Sequence, residues 1–299
     1  MEGQIPSGGV RALAARPPGA PSAEAVMERA AGENFPVASR LLPRAQREHL
    51  LAVYGFARLV DELGDSPEIA PADRAGALDW VEGELDAALA GHAQHALMLR
   101  LGRSARECGL GRAPFARLIA ANRLDQRKSR YATWRELKEY CALSADPVGE
   151  IVLGVFGHGE PELIALSDRI CTALQLAEHC QDVAEDLARG RIYLPQEDLA
   201  RFGCGEEELS RPHAREPLRA VLAFEAERGR RLLQEGLPLL AALRGRPRLA
   251  VAAFAAGGRA AFDAIERAGF DVLPGPPAAG TARRLFALAA TLSAREARR

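Results

Sequence analysis

The sequence predicts an all-α protein, a single-domain multi-helix bundle around a central cavity. Three observations carry that expectation. Prolines stand where helices begin, at Pro43, Pro71, Pro114, Pro147 and Pro161, a place that their fixed φ and missing N–H suit. Alternating strand patterns are scarce, and no repeat of roughly 20–50 residues is found. Two otherwise apolar helices each carry an acidic stripe, which a plain hydrophobic core would not tolerate.

The elements follow in order. Residues 1–22 are rich in Gly, Pro and Ala and read as a loose tail, which leaves 23–299 as the domain. Helices are expected near 22–31, 43–64, 71–90, 94–108, 113–127, 133–144, 146–157, 161–188, 214–243, 247–268 and 280–297. Thr133 and Glu136 form a capping box, and Asp146 before Pro147 is expected as an N-cap. Segments 189–213 and 270–279 read as loops within the one domain, the second marked by "LPGPPAAG".

The first stripe lies in "YGFARLVDELGDS", where Tyr54, Arg58, Asp61 and Asp65 fall at i, i+4, i+7 and i+11. Leu50, Leu51, Val53, Phe56, Leu59, Val60 and Leu63 crowd the other sides. The second lies in "LQLAEHCQDVAEDLARGRIYLP", with Gln175, Glu178, Asp182 and Asp186 at i, i+3, i+7 and i+11. Two bare acidic stripes facing each other repel, and divalent cations between them remove the conflict. Mg²⁺ takes a few carboxylates, waters and phosphate oxygens, so the two D-x-x-x-D pairs point to a metal-bound diphosphate. A single such pair would be an ordinary solvated face. Arg58 can pair with Asp61 or Asp65, or hold a phosphate by its fork. Tyr54 fits a core, and also a cavity wall facing a carbocation. Arg191 and Tyr193 read either as loop packing at the bundle mouth or as a lid reaching phosphates.

Composition excludes other classes. A net charge of −1 does not suit nucleic acid. Five cysteines without a C-x-x-C pair suit reduced thiols, and no apolar run reaches the ~20 residues of a membrane span. The chain is therefore expected in the cytoplasm, with peripheral contact at the inner face of the membrane as a second reading. The arginines at 228, 230, 231, 244, 246 and 248 are read as solvated faces, or else as contacts to anionic lipid. Glu-x-x-His pairs, G-x-G-x-x-G, P-loop and G-x-S-x-G motifs are absent. His179 and Cys180 adjoin the second stripe but point elsewhere on a helix.

"ENFPVASRLLPRAQREHLLAVYGFARLVDELGD" and "LQLAEHCQDVAEDLARGRIYLP" resemble the two signature regions of the squalene/phytoene synthase family. "RYATWRELKEYCALSADPVGEIVLGVFG" resembles its central segment, so the likeness spans roughly residues 28 to 270. "SADPVG" and "QDVAED" resemble the bacterial hopanoid-pathway branch, hydroxysqualene synthase. The resemblance implies an isoprenoid synthase bundle acting on prenyl diphosphates, with pathway enzymes as partners. It implies two or three Mg²⁺ ions with the diphosphate, held by Asp61, Asp65, Asp182 and Asp186. Tyr54, Arg58 and Gln175 match residues of the family site. Gln181, Arg191 and Tyr193 are carried as further substrate contacts.

Two departures matter. Many members have Asn where Glu178 stands and Arg where Gln181 stands. Glu178 can still bind metal, whereas Gln181 cannot clamp a phosphate as Arg does. Glu33–Pro36 also lacks the usual His/Ser-rich start. The branch resemblance, together with the absence of a dinucleotide fingerprint, implies that NADPH is not used and that water is the nucleophile at hand. The expected reaction converts presqualene diphosphate to hydroxysqualene. The alternatives are condensation of farnesyl diphosphate to presqualene diphosphate, squalene or dehydrosqualene, and a non-catalytic assembly factor, against which the four intact aspartates argue.

Overall fold

A computed structural model describes residues 16–30 and 42–277, together with Leu288 and Thr291. The helices are α1 (Ala23–Ala30), α2 (Arg44–Asp65), α3 (Arg74–Ala90), α4 (Ala96–Cys108), α5 (Arg112–Asp125), α6 (Trp134–Ser144) and α7 (Asp146–Val155). They continue with α8 (Pro161–Gln181), α9 (Val183–Ala188), α10 (Gln196–Arg201), α11 (Glu216–Gly236), α12 (Leu239–Ala242) and α13 (Gly245–Arg267). Among the described residues the β-structure is an isolated parallel bridge, Arg130 to Ile192. The fold is all-α.

Two apolar clusters form the core. One gathers Phe56, Leu63, Leu78, Leu97 and Phe115 from the first half of the chain. The other gathers Leu137, Leu176, Leu222, Phe262 and Ile265 from the second half. α2 packs on α3, α4 and α5, and α8 packs on α7 and α11. The two stripe-bearing helices hardly touch each other. α5, α6 and α7 link the two halves instead, which leaves space between α2 and α8. Small residues set the close approaches: a Cβ on Gly102 would lie 2.1 Å from the carbonyl oxygen of Ala88, so only glycine lets α4 sit against α3.

Several boundaries differ from the sequence expectation. The helix expected over 161–188 breaks at Asp182, where φ is −101° and ψ is 19°. The one expected over 214–243 breaks at Leu237–Pro238, because proline removes an N–H that the ladder needs. The expected loop 189–213 contains α10 and a 3₁₀ turn, Glu206–Ser210. The 280–297 helix lies outside the described residues apart from Leu288 and Thr291, which are helical. Residues 1–15 and 31–41, including Glu33–Pro36, also lie outside them.

Thr133 does cap α6, accepting from the Glu136 N–H at 3.3 Å. The reciprocal bond goes one residue back, since Glu136 accepts from the Ala132 N–H at 2.8 Å. Asp146 is not a cap; Ala145 holds that place. Asp146 instead lies buried and accepts the Thr172 hydroxyl at 2.9 Å. Arg228 is not on a solvated face. It is 16 % exposed, donates to Asp198 at 2.8 Å and Glu225 at 2.6 Å, and stands 4.7 Å from the Trp134 and Phe224 ring centres. Arg230 pairs with Asp263 and Glu266. Arg231, Arg244 and Arg246 are exposed as expected. No described helix is long and apolar enough to cross a membrane.

Burial pushes the Asp146 carboxyl up to about 7, with the nearby Asp168 charge adding to it. A carboxyl raised above its unfolded value favours folding while protonated. That contribution is complete below the unfolded pKa and is lost as pH rises towards 7. Asp146→Asn keeps an acceptor for Thr172 and removes the charge. It is expected to match the parent at pH 4 and to exceed it by about 2 kcal/mol at pH 8. Urea unfolding at the two pH values checks this.

Candidate active site

The space between α2 and α8 is a cavity of about 490 Å³. α2 contributes Arg58, Asp61, Glu62 and Asp65 from one wall. α8 and α9 contribute Gln175, Glu178, His179, Asp182 and Asp186 from the other. The helical period explains the grouping, since each stripe repeats every three or four residues and so faces one way. The break at Asp182 does not spoil the register, because the Asp182 N–H still donates to the Glu178 carbonyl at 2.9 Å and that of Asp186 to the Asp182 carbonyl at 2.8 Å. α5 forms the floor with Leu118, Ala121, Asn122 and Asp125. Arg189, Arg191 and Tyr193 come from the turn after α9.

Nine of the eleven residues singled out in the sequence line this cavity: Arg58, Asp61, Asp65, Gln175, Glu178, Asp182, Asp186, Arg191 and Tyr193. Tyr54 and Gln181 do not. Tyr54 is half-buried on α2, one turn before Arg58. Gln181 turns away and donates to the Pro277 carbonyl at 2.5 Å, tying the 270s segment to the end of α8. Arg58 pairs with Glu62, at 3.4 Å, rather than with Asp61 or Asp65.

The carboxylates are under electrostatic stress. Asp61 opens on the cavity yet sits deep among protein atoms, which pushes its carboxyl up to about 6 against the pull of Asn122 and Arg58. Asn122 donates to it at 3.2 Å. Asp186 is pushed up to about 7, first by burial and then by the Asp182 charge. Asp182 is raised for the same reason, with Glu185 adding to it. Desolvation and like charges both disfavour the ionised forms. Among the described residues the cavity is lined by seven acids (Asp61, Glu62, Asp65, Asp125, Glu178, Asp182, Asp186) and three arginines (Arg58, Arg189, Arg191).

Asp125 was not picked out from the sequence. It accepts the Tyr140 hydroxyl at 2.8 Å and the Tyr193 hydroxyl at 3.0 Å, and burial pushes it up to about 6. The spacing of Leu118, Ala121, Asn122 and Asp125 on α5, at i, i+3, i+4 and i+7, was the available signal. An aromatic wall stands behind it. The rings of His179 and Tyr193 stack at 4.0 Å, and Tyr131 and Tyr140 pack within 6 Å of Tyr193. His179 is buried, which lowers its pKa to about 3 and keeps it neutral.

Oxygen donors on two sides of a polar cavity fit a hard divalent cation such as Mg²⁺. Among the described residues no three His, Cys, Asp or Glu side chains converge as a finished metal cage. The donor set is therefore open, one pair per wall, which leaves coordination positions for waters or phosphate oxygens.

Residues 28–287 match the squalene/phytoene synthase family. The chain belongs to that family. It is an isoprenoid synthase of the class that joins or processes prenyl diphosphates head to head. The chain is 34% identical over 224 residues to a phytoene synthase of Arthrospira platensis, covering 70% of this chain and 72% of that protein. It is also 34% identical over 213 residues to a hydroxysqualene synthase of Rhodopseudomonas palustris, covering 71% and 72%. Among solved structures, squalene synthase HpnC from Alicyclobacillus acidocaldarius is 43% identical with a TM-score of 0.77, covering 83% of this chain and 94% of that one. A dehydrosqualene synthase superposes with a TM-score of 0.81 at 23% identity, over 92% and 95% of the two chains, a likeness of fold.

The Tyr–Asp–Tyr clamp makes a checkable claim. Tyr193→Phe removes a donor to a buried carboxylate, a loss of about 1.5–3 kcal/mol when the acceptor is charged. The loss is expected at pH 8 and should shrink at pH 5, where Asp125 takes a proton. Chemical unfolding at both pH values measures it.

Proposed function

We propose that this synthase converts presqualene diphosphate to hydroxysqualene. The observation that carries the reading is the acid excess on both walls of one cavity, with arginines at its mouth and an aromatic wall within. Asp61, Asp65, Asp182 and Asp186, with Glu178 beside them, would hold Mg²⁺. When bound, Mg²⁺ would act as a Lewis acid on the leaving diphosphate. Arg58, Arg189 and Arg191 would orient the diphosphate and balance its developing charge. Leu118, Ala121 and Val148, which also line the cavity, would hold the hydrocarbon. Tyr140, Tyr193 and the neutral His179 present aromatic faces that stabilise a nearby carbocation. A wall of that kind also keeps bulk water out while the cyclopropylcarbinyl cation rearranges. Water would then bond to the cation through its oxygen and release a proton to the departed diphosphate or to solvent, leaving the alcohol.

Relatives named hydroxysqualene synthase and the squalene synthase HpnC neighbour support this branch. Phytoene synthase relatives support a second reading, condensation of two prenyl diphosphates. The position where many family members carry Arg is Gln181, which bonds Pro277 instead of facing the cavity. That leaves fewer cationic groups for a second diphosphate and favours the first reading.

Incubation with presqualene diphosphate, Mg²⁺ and ¹⁸O-water, without NADPH, is expected to give an alcohol carrying the label. Squalene formed only on adding NADPH would replace this reading, and a product formed only from two allylic diphosphates would favour condensation. Asp61→Asn and Asp182→Asn are each expected to lower turnover by about a thousandfold or more, the scale of losing a transition-state electrostatic contact. Their far-ultraviolet circular dichroism should stay that of the parent.

A further inference from the structure

Arg191 forms a fork on Asp65. Its Nη1 donates to Oδ2 at 2.9 Å and its Nη2 to Oδ1 at 2.6 Å. The guanidinium is 11 % exposed, against 37 % for the carboxylate, so the pair is partly shielded from water. Its backbone is fixed: the Arg191 N–H donates to the Asp186 carbonyl at 2.8 Å, and the next N–H, of Ile192, donates to the Ser129 carbonyl at 2.9 Å. One side chain thus spans the cavity mouth from the second acidic wall to the last acid of the first.

This arrangement conflicts with Asp65 as a metal ligand in the resting protein. Both carboxylate oxygens already accept from a cation. A divalent ion joining Asp65 would stand beside the guanidinium forked on it, and the two positive charges repel. A diphosphate removes the conflict. It brings several negative charges, accepts the Arg191 fork on its own oxygens, and frees Asp65. Arg189 lines the same mouth but has no such hold on an acid that the sequence marks as a metal ligand.

We infer that Arg191 is a positioning residue that keeps Asp65 closed to free metal and exchanges it for the diphosphate, so that metal and diphosphate enter the site together. The inference rests on the metal–diphosphate reading given above. Linkage then requires each ligand to raise the affinity for the other by the same factor. Premature filling of the site by metal alone would be suppressed. Arg191 would reach the phosphate only when Asp65 has gained a new cation, which ties leaving-group binding to metal arrival.

The test is Mn²⁺ binding to the full chain, read by electron paramagnetic resonance with and without inorganic pyrophosphate. In the parent, pyrophosphate is expected to tighten Mn²⁺ by at least about tenfold, within the usual range of coupling between sites. Arg191→Gln should bind Mn²⁺ alone about fivefold more tightly, the scale of losing one competing ion pair. It should also lose most of the pyrophosphate enhancement. Arg191→Lys keeps the charge without the fork and should fall between, and it carries the test if the glutamine variant fails to fold. Mn²⁺ binding that is unchanged or weaker in both variants overturns the inference and leaves Arg191 a purely structural tie. If the parent itself shows neither Mn²⁺–pyrophosphate binding nor pyrophosphate release from presqualene diphosphate, the metal–diphosphate reading falls, and the inference with it.

Discussion

The structure turns on one electrostatic constraint: among the described residues, seven acids share a cavity with three arginines. Carboxylates drawn together away from bulk water destabilise the folded chain unless something neutralises them. The fold meets this by keeping α2 and α8 apart while binding each firmly to its own apolar half. The two walls never need to touch, so their acids need not confront each other directly. Local partners relieve part of the stress. Asn122 donates to Asp61, two tyrosines donate to Asp125, and Arg191 forks on Asp65. Asp182 and Asp186 are left with raised proton affinities, because burial and neighbouring acids both disfavour their ionised forms.

A second charged cluster shows what a closed solution looks like. Asp198, Glu225 and Arg228 are also buried or nearly so, and Arg228 bonds both acids directly. The rings of Trp134 and Phe224 cover the guanidinium on two sides. Arg228 balances Asp198, and burial favours the protonated form of Glu225, so the cluster is close to neutral. It joins α10 to α11 and lies outside the acidic cavity. Both clusters carry perturbed carboxyls, with Glu225 pushed up to about 8. Perturbation alone therefore does not separate a site from a structural tie. The number of acids left without a direct cationic partner does: Arg228 bonds both acids of its cluster, whereas Asp182 and Asp186 face the cavity with no arginine fork on them among the described residues.

Much of this was legible in the sequence, because it depended on periodicity. The stripes of α2 and α8 repeat with the helical turn, so Asp61, Asp65, Asp182 and Asp186 could be placed on facing walls. Proline and cap chemistry located the starts of α6 and α8 well. What failed depended on contacts between segments far apart in the chain. Asp146 looked like an N-cap from its neighbour Pro147, yet Thr172 claims its carboxylate. Arg228 looked solvated because its acids lie three and thirty residues away. Asp125 was passed over because its two tyrosines come from α6 and from the turn after α9. The reach of Gln181 to Pro277 spans 96 residues and leaves no local trace.

The same distinction explains how the site can be both stable and reactive. Residues with internal partners fix the geometry: Asp125 anchors Tyr140 and Tyr193, and Tyr193 in turn stacks on His179. Those rings form a rigid wall that cannot itself donate a charge, since burial keeps His179 neutral and raises the tyrosine hydroxyls above their ordinary range. A wall that is aromatic, neutral and held from behind can sit beside a carbocation without trapping it. The acids line both walls, with Asp125 on the floor directly against the tyrosine hydroxyls. On the proposed reading, a leaving group drawn to the arginines among those acids would leave its cation beside those rings.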